Sequence, residues 1–254
     1  MKYSLSWVLN TTPLYRIMPL KWFKIMVEEK RNTLFRPSKW DDPYEMNYSN
    51  SVIATEKGDI PLDASYWFGQ CWSLCAESAI MWQAFKKTKD PCVKIMVYAD
   101  KLISGKNELD DELRIVVLDY IRYFEPTQDS YHEKLNDVIS THQWPKNFLS
   151  KGCKCAELFP IYSLLTKRNV FKHEEEVRFL LFDKSASKDQ ESFSYTFDPT
   201  IVKEVVIDPW TSKDDDKYLE ILKELRPYLS QETTKIRKSE IFSNSSMFSI
   251  RYNP

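Results

Sequence analysis

The sequence predicts an α+β fold: mixed sheets of short strands with flanking helices and a helical insertion, in one domain over residues 1–254. Three observations carry this. Candidate strands are short and unevenly spaced, without the regular strand–helix–strand alternation of a doubly wound sheet. Apolar residues recur at helical spacing in several stretches, most clearly over 108–124. Only four glycines occur in 254 residues, so neither G-x-G-x-x-G nor G-x-x-x-x-G-K-[ST] can be assembled, which excludes Rossmann and P-loop nucleotide binding.

Taken in order, residues 14–18 read as a first strand and 20–29 as a helix burying Leu20, Phe23, Met26 and Val27. "TLFRP" (33–37) is a strand stopped by proline, and the turn-rich "KWDDPYE" follows. Residues 49–65 are polar and irregular, a surface loop. "YWFGQCWS" (66–73) is an aromatic strand running straight into the helix "LCAESAIMWQAF", and 92–99 is another strand. Over 108–124, Leu109, Leu113, Val116, Val117, Tyr120 and Phe124 fall on one helical stripe. Residues 131–150 read as a weaker helix, so the insertion is placed at about 106–150. Strands follow near 161–166, 175–182, 194–197 and 204–207. A helix over 214–228 buries Tyr218, Ile221, Leu222 and Leu225, and "TKIRKSEIF" closes the sheet.

Composition is globular: 43 % of residues are apolar and 29 % charged, unlike a disordered chain. A net charge of −1 projects no global field toward nucleic acid or an anionic membrane. The N-terminal stretch lacks an apolar core of signal-peptide length, and no segment approaches the roughly 20 apolar residues of a membrane span. No membrane association is expected, and the expected address is the cytoplasm. Five cysteines form an odd set that favours reduced thiols. The Cys71/Cys75 and Cys153/Cys155 pairs lack the usual two-residue zinc spacing, and no metal site is assigned.

The stretch "KHEEEVRFLLF" (172–182) sets three carboxylates, a histidine and an arginine against large apolar residues. On a strand, Glu174, Glu176 and Arg178 share one face, and Glu175, Val177, Phe179 and Leu181 the other. The charged face either ends in solvent, with Arg178 neutralising a carboxylate, or lines a cleft. Ser73 caps the following helix or serves a site. Arg16 is a surface arginine with a buried stem or a cleft residue. Asp41, Asp42 and Glu45 fit a turn, although acids so placed can also hold a divalent metal.

The order "LYR…M", helix, "L-F-x-P-x-x-W-D-D-P-Y-E", "CWS…ES…MW", "K-R…F-x-H-E-x-E-x-R" resembles a bacterial domain family of unknown function, from residue 14 to about 210. More distantly it is similar to the arginine-serine-glutamate class of ADP-ribosyltransferases. That resemblance implies an enzyme taking NAD as substrate, cleaving it at the nicotinamide–ribose bond and modifying an unknown protein or nucleic-acid acceptor, in the setting of a toxin or phage-defence effector. It makes Arg16 the first-strand arginine, Ser73 the serine, Glu176 the final glutamate and Glu174 the first of the pair. Glu176, Glu174 and Ser73 are then catalytic, and Arg16, Tyr44, Trp72, Trp82 and Arg178 hold the cofactor. Chemically, bond cleavage develops an oxocarbenium-like cation, so a carboxylate that binds the ribose 2′-OH assists, while a guanidinium fixes the diphosphate. Cys71-Trp72-Ser73 departs from the Ser-Thr-Ser common in that class. The alternatives are a metal-dependent phosphodiesterase or nuclease built from Asp41, Asp42, Glu174 and Glu176, and a non-enzymatic binding domain with an aromatic surface.

Overall fold

The computed structural model describes residues 4–6, 8–40, 42, 51–53, 58–86, 90–103, 107–109, 111–141 and 155–242. Its elements are β1 (Ser4–Ser6), β2 (Pro13–Pro19), α1 (Leu20–Glu28), β3 (Arg31–Phe35), β4 (Val52–Ile53), β5 (Ile60–Pro61), β6 (Trp67–Ser73), α2 (Ala79–Phe85), β7 (Cys92–Tyr98) and α3 (Ala99–Ile103). There follow β8 (Arg114–Tyr120), β9 (Arg122–Phe124), α4 (Gln128–Thr141), α5 (Cys155–Leu158), α6 (Pro160–Leu164), β10 (Thr166–Arg168), β11 (Glu176–Asp183), β12 (Ser192–Thr196), β13 (Glu204–Ile207), α7 (Asp215–Leu225) and β14 (Lys235–Lys238).

One mixed sheet with flanking helices dominates. Its strands run β1-β8-β11-β6-β2-β7-β13-β14, with β3 joined to β6 and β12 to β3. The β6–β2 joint is its weak point. β6 pairs with β11 along its whole length and β2 likewise with β7, yet β6 and β2 meet only at Ser73 and Tyr15. The other end of β6 turns to β3, at Gly69 opposite Phe35. Because α1 connects β2 to β3, the sheet opens there into a wedge with a helix across it. Pro19 ends β2, and the stripe of Leu20, Phe23, Met26 and Val27 seats α1 on the core.

Side chains alternate along each strand, so the faces can be assigned by register. Leu14, Met18, Trp72, Val93, Ile95, Val177 and Phe179 point into the largest apolar cluster. The opposite face carries two separate clusters, one around Trp67, Val117, Leu180 and Phe182 beneath α6 and one around Trp82, Cys92 and Val206. The gap between those two clusters lies over the β6–β2 joint.

Several expectations are corrected. Residues 108–124 are not a helix: β8 and β9 occupy most of that stretch, and β8 lies inside the sheet between β1 and β11. The helical insertion at 106–150 therefore shrinks to α4, with 142–150 outside the described residues. The helical stripe misled because β8 is buried at Ile115, Val116, Val117 and Leu118 alike, and a strand covered on both faces shows no alternation of period two. The strand expected at 161–166 is α6, which begins at Pro160, a residue suited to a first helical turn. The 49–65 loop contains the small β4–β5 pair. The second helix starts only at Ala79, and its N-cap is Ser78 rather than Ser73.

Candidate active site

A cleft of about 780 Å³ occupies the wedge. Its walls come from β2 (Tyr15 to Pro19), α1 (Trp22, Ile25, Met26), β3 (Arg31 to Thr33, Phe35), β6 (Gly69 to Ser73) and α2 (Ser78, Met81, Phe85), with Trp40, Glu174 and Glu176. Arg16, Trp72, Ser73, Glu174 and Glu176 thus line one cavity although up to 160 residues separate them. Ser73 is the hinge of the arrangement. It pairs with Glu176 on one side and Tyr15 on the other, so Tyr15, Ser73 and Glu176 form a row across three strands on one face.

Glu176 is only 2 % exposed. Arg178 Nε donates to its Oε1 at 2.6 Å, and Lys167 Nζ donates to its Oε2 at 2.9 Å. The Cys71 thiol is a further donor. Burial by itself pushes the Glu176 pKa up, but the charges of Arg178 and Lys167 outweigh it and bring the carboxyl from 4.5 down to about 2. Lys167 also donates to Glu174 Oε2 at 2.7 Å, so one ammonium bridges both glutamates. The main-chain N–H of Glu176 donates to Tyr123 Oη at 2.8 Å. Glu175 has φ 44°, a left-handed conformation uncommon for a non-glycine residue. This kink ends the 3-10 turn at Glu174 and starts β11 at Glu176, so the two glutamates leave different elements rather than sharing a strand face as expected.

The remaining candidates divide. Ser73 Oγ donates to the main-chain carbonyl of Glu174 at 2.6 Å and accepts from the Cys75 N–H at 2.9 Å. It therefore braces the backbone around the glutamates rather than the Glu176 carboxylate. Arg16 lines the cleft from the other sheet face, the one it shares with Leu14 and Met18 by alternation, so Tyr15 and not Arg16 stands in the row with Ser73 and Glu176. Dense protein around the guanidinium lowers its pKa from 12.5 to about 10, although part of the side chain stays open to the cleft. Arg178, expected to bind cofactor, is wholly buried beneath Glu176, donates to the Leu164 carbonyl at 2.6 Å, and lies 4.4 Å from the Trp40 ring centre. Trp82, also expected at the cofactor, has no exposed surface and packs in the cluster with Cys92 and Val206, away from the cleft. Trp72 reaches the cleft with little surface, its indole N–H donated to Gln70 Oε1 at 3.0 Å. Tyr44, Asp41 and Glu45 lie outside the described residues.

The aromatic walls are instead Tyr15, Trp22, Phe35, Trp40 and Phe85. Trp40 fits because Gly69 has no side chain: a Cβ there would lie 2.7 Å from Trp40 Cζ2. The residue that sequence reasoning passed over is Lys167. It stands in the K-R pair of the motif, and the need of two adjacent carboxylates for a cation was the available signal. Among the described residues no group of three metal-ligating side chains occurs, and Asp41 of the metal alternative lies outside them. Asp42 pairs with Arg168 at 3.0 Å, outside the cleft lining, and Lys167 takes both glutamates. No helix among the described residues is long and apolar enough to cross a membrane.

No family model matches the chain, and no curated protein matches it. Among solved structures it is similar to complexes of DarT from Thermus sp. 2.9. The carba-NAD+ complex gives a TM-score of 0.38 at 10 % identity, covering 92 % of this chain and 98 % of that one. The complex with ADP-ribosylated ssDNA gives 0.39 at 11 % identity, covering 90 % and 95 %. The NAD+ complex gives 0.38 at 12 % identity, covering 90 % and 96 %.

Proposed function

We propose that the chain is an ADP-ribosyltransferase-like enzyme that cleaves NAD at the nicotinamide–ribose bond in the wedge cleft and transfers ADP-ribose to a protein or nucleic-acid acceptor. The observation that carries this reading is the row Tyr15–Ser73–Glu176 in one cleft, with Glu176 held ionised by Lys167 and Arg178. Nicotinamide departs with the bonding pair as a neutral molecule, and the carbon left behind carries oxocarbenium character. A carboxylate fixed in a buried position opposes that charge without reorganising, which is where electrostatic catalysis is strongest.

Glu176 already receives donors from Arg178, Lys167 and Cys71. A thiol is the weakest of these donors, so the ribose 2′-OH displaces Cys71 and leaves both cations in place. In this reading Glu174, at the cleft wall and bridged by Lys167, receives the proton of the incoming acceptor. Arg16 supplies charge for the diphosphate from the opposite face, and Tyr15, Trp22 and Trp40 offer ring faces to the nicotinamide and adenine. Nicotinamide release from NAD, measured without added divalent metal for wild type and Glu176→Gln, tests the reading. Absence of release from folded wild-type protein, together with no NAD-induced rise in Tm, would leave the chain a binding domain without this chemistry.

A further inference from the structure

Lys94 lies on β7 opposite Ile17, which places it on the same sheet face as Tyr15, Ser73 and Glu176. It lines the cleft, is 2 % exposed, and its Nζ has no hydrogen-bond partner. The Tyr15 ring lies over it, centre 5.1 Å from Nζ, and the charges of Glu77 and Glu204 favour the ammonium without hydrogen-bonding to it. The carboxylates nearest to it are engaged by another cation: Arg237 donates to Glu204 at 2.8 Å and to Glu77 at 3.4 Å. A buried ammonium without hydrogen bonds opposes folding.

The cleft lining carries Arg16, Arg31, Lys39 and Lys94 against Glu29, Glu77, Glu174 and Glu176, even in number but not all paired. Lys167 and Arg178 are matched by Glu174 and Glu176, whereas Arg16 and Lys94 form no ion pair among the described residues. Arg16 faces the other side of the sheet, so the two cations without an ion pair approach the cavity from opposite faces. We propose that Lys94 is the cation of an oxyanion subsite on the α2 side of the cleft, and that this subsite takes a phosphate group of the bound ligand. The half-buried Tyr15 ring covers the ammonium and turns aside when the anion enters. Naming phosphate rests on the nucleotide reading of the cleft given above; the subsite itself rests on Lys94.

The test uses the full chain as wild type, Lys94→Met and Lys94→Arg, with inorganic phosphate, pyrophosphate and ADP as probes and sodium chloride at matched ionic strength as control. Wild type is expected to show a probe-dependent rise in Tm and measurable binding by calorimetry. Lys94→Met is expected to melt higher than wild type without probe, since an unpartnered buried charge is gone, and to bind the probes about tenfold or more weakly, the scale of one charge-assisted contact. Lys94→Arg should keep most of the response. A response to ADP alone assigns the subsite to a nucleotide phosphate, and a response to inorganic phosphate as well assigns it to free phosphate chemistry. Lys94→Met binding every probe as tightly as wild type, or no probe binding to wild type, overturns the subsite. Neither measurement involves NAD turnover, so a Lys94-dependent phosphate response in a chain that releases no nicotinamide would keep this inference and reject the proposed reaction.

Discussion

Replacing Glu176 by glutamine leaves the side-chain shape and removes the charge that Lys167 and Arg178 share. Arg178 is wholly buried and Lys167 nearly so, so the substitution strands buried positive charge, which costs about 3–5 kcal/mol when one partner of a buried pair is lost. A carboxyl held at about 2 instead of 4.5 prefers its ionised form by on the order of 3 kcal/mol. Against a total stability of about 5–15 kcal/mol, Glu176→Gln should fold but melt well below wild type, contrary to what a merely cleft-facing carboxylate would imply. The sign in pH follows from the lowered pKa: the contribution is complete above pH 4.5 and disappears as pH falls through about 2, so the wild-type advantage should shrink in acid. Nicotinamide release, measured at a temperature where both proteins are folded by circular dichroism, should fall on the order of a hundred- to a thousandfold. If folded Glu176→Gln releases nicotinamide at close to the wild-type rate, the carboxylate has no part in the chemistry. If it also melts like wild type, the buried ion cluster is not what holds this corner together.

Other substitutions probe the surroundings. Glu174→Gln should impair labelling of an acceptor while leaving nicotinamide release largely intact, and equal loss in both assays would refute the division of roles between the glutamates. Gly69→Ala places a methyl group 2.7 Å from Trp40 Cζ2 and 2.8 Å from Leu180 Cδ2; a loss of about 1–3 kcal/mol in denaturant unfolding is expected from overpacking, with an unchanged midpoint the contrary outcome. Asp208, without exposed surface, accepts from Lys86 Nζ at 2.8 Å, from the N–H groups of Cys92, Trp210 and Thr211, and from the Thr211 hydroxyl. Burial raises its pKa, but those donors outweigh it and hold the carboxyl below its ordinary 3.8, so its stabilisation is present above that pH and lost below it. Asp208→Asn should cost about 3–5 kcal/mol at neutral pH and less in acid, as thermal melts across pH would show.

Sequence pattern was enough where a segment's neighbours did not alter its meaning. The stripe Leu20, Phe23, Met26 and Val27 specified α1, the 14–18 and 33–37 stretches marked β2 and β3 within two residues, and the run at 204–207 specified β13 to the residue. Local periodicity carries such elements because each has one covered face or a clear stop signal. The α+β class followed from the same short, irregular spacing. The resemblance named Arg16, Ser73 and Glu176 together, and all three line one cleft.

Tertiary structure decided the rest. Residues 114–120 become a strand because β1 and β11 flank them and both faces are buried, a setting in which β-branched Ile115, Val116 and Val117 fit and the apparent helical stripe loses its meaning. Lys167 acquires its place only when β10 packs beside the start of β11 and brings its ammonium between Glu174 and Glu176. Strand register, not spacing in the chain, puts Tyr15 beside Ser73 and turns Arg16 to the opposite face. Trp82 and Arg178, chosen for their chemistry, proved to be interior residues, because which face of a strand or helix meets the cleft depends on long-range pairing that a single sequence leaves open. The residue types came from the sequence; their burial, charge partners and common cavity came from contacts between segments far apart in the chain.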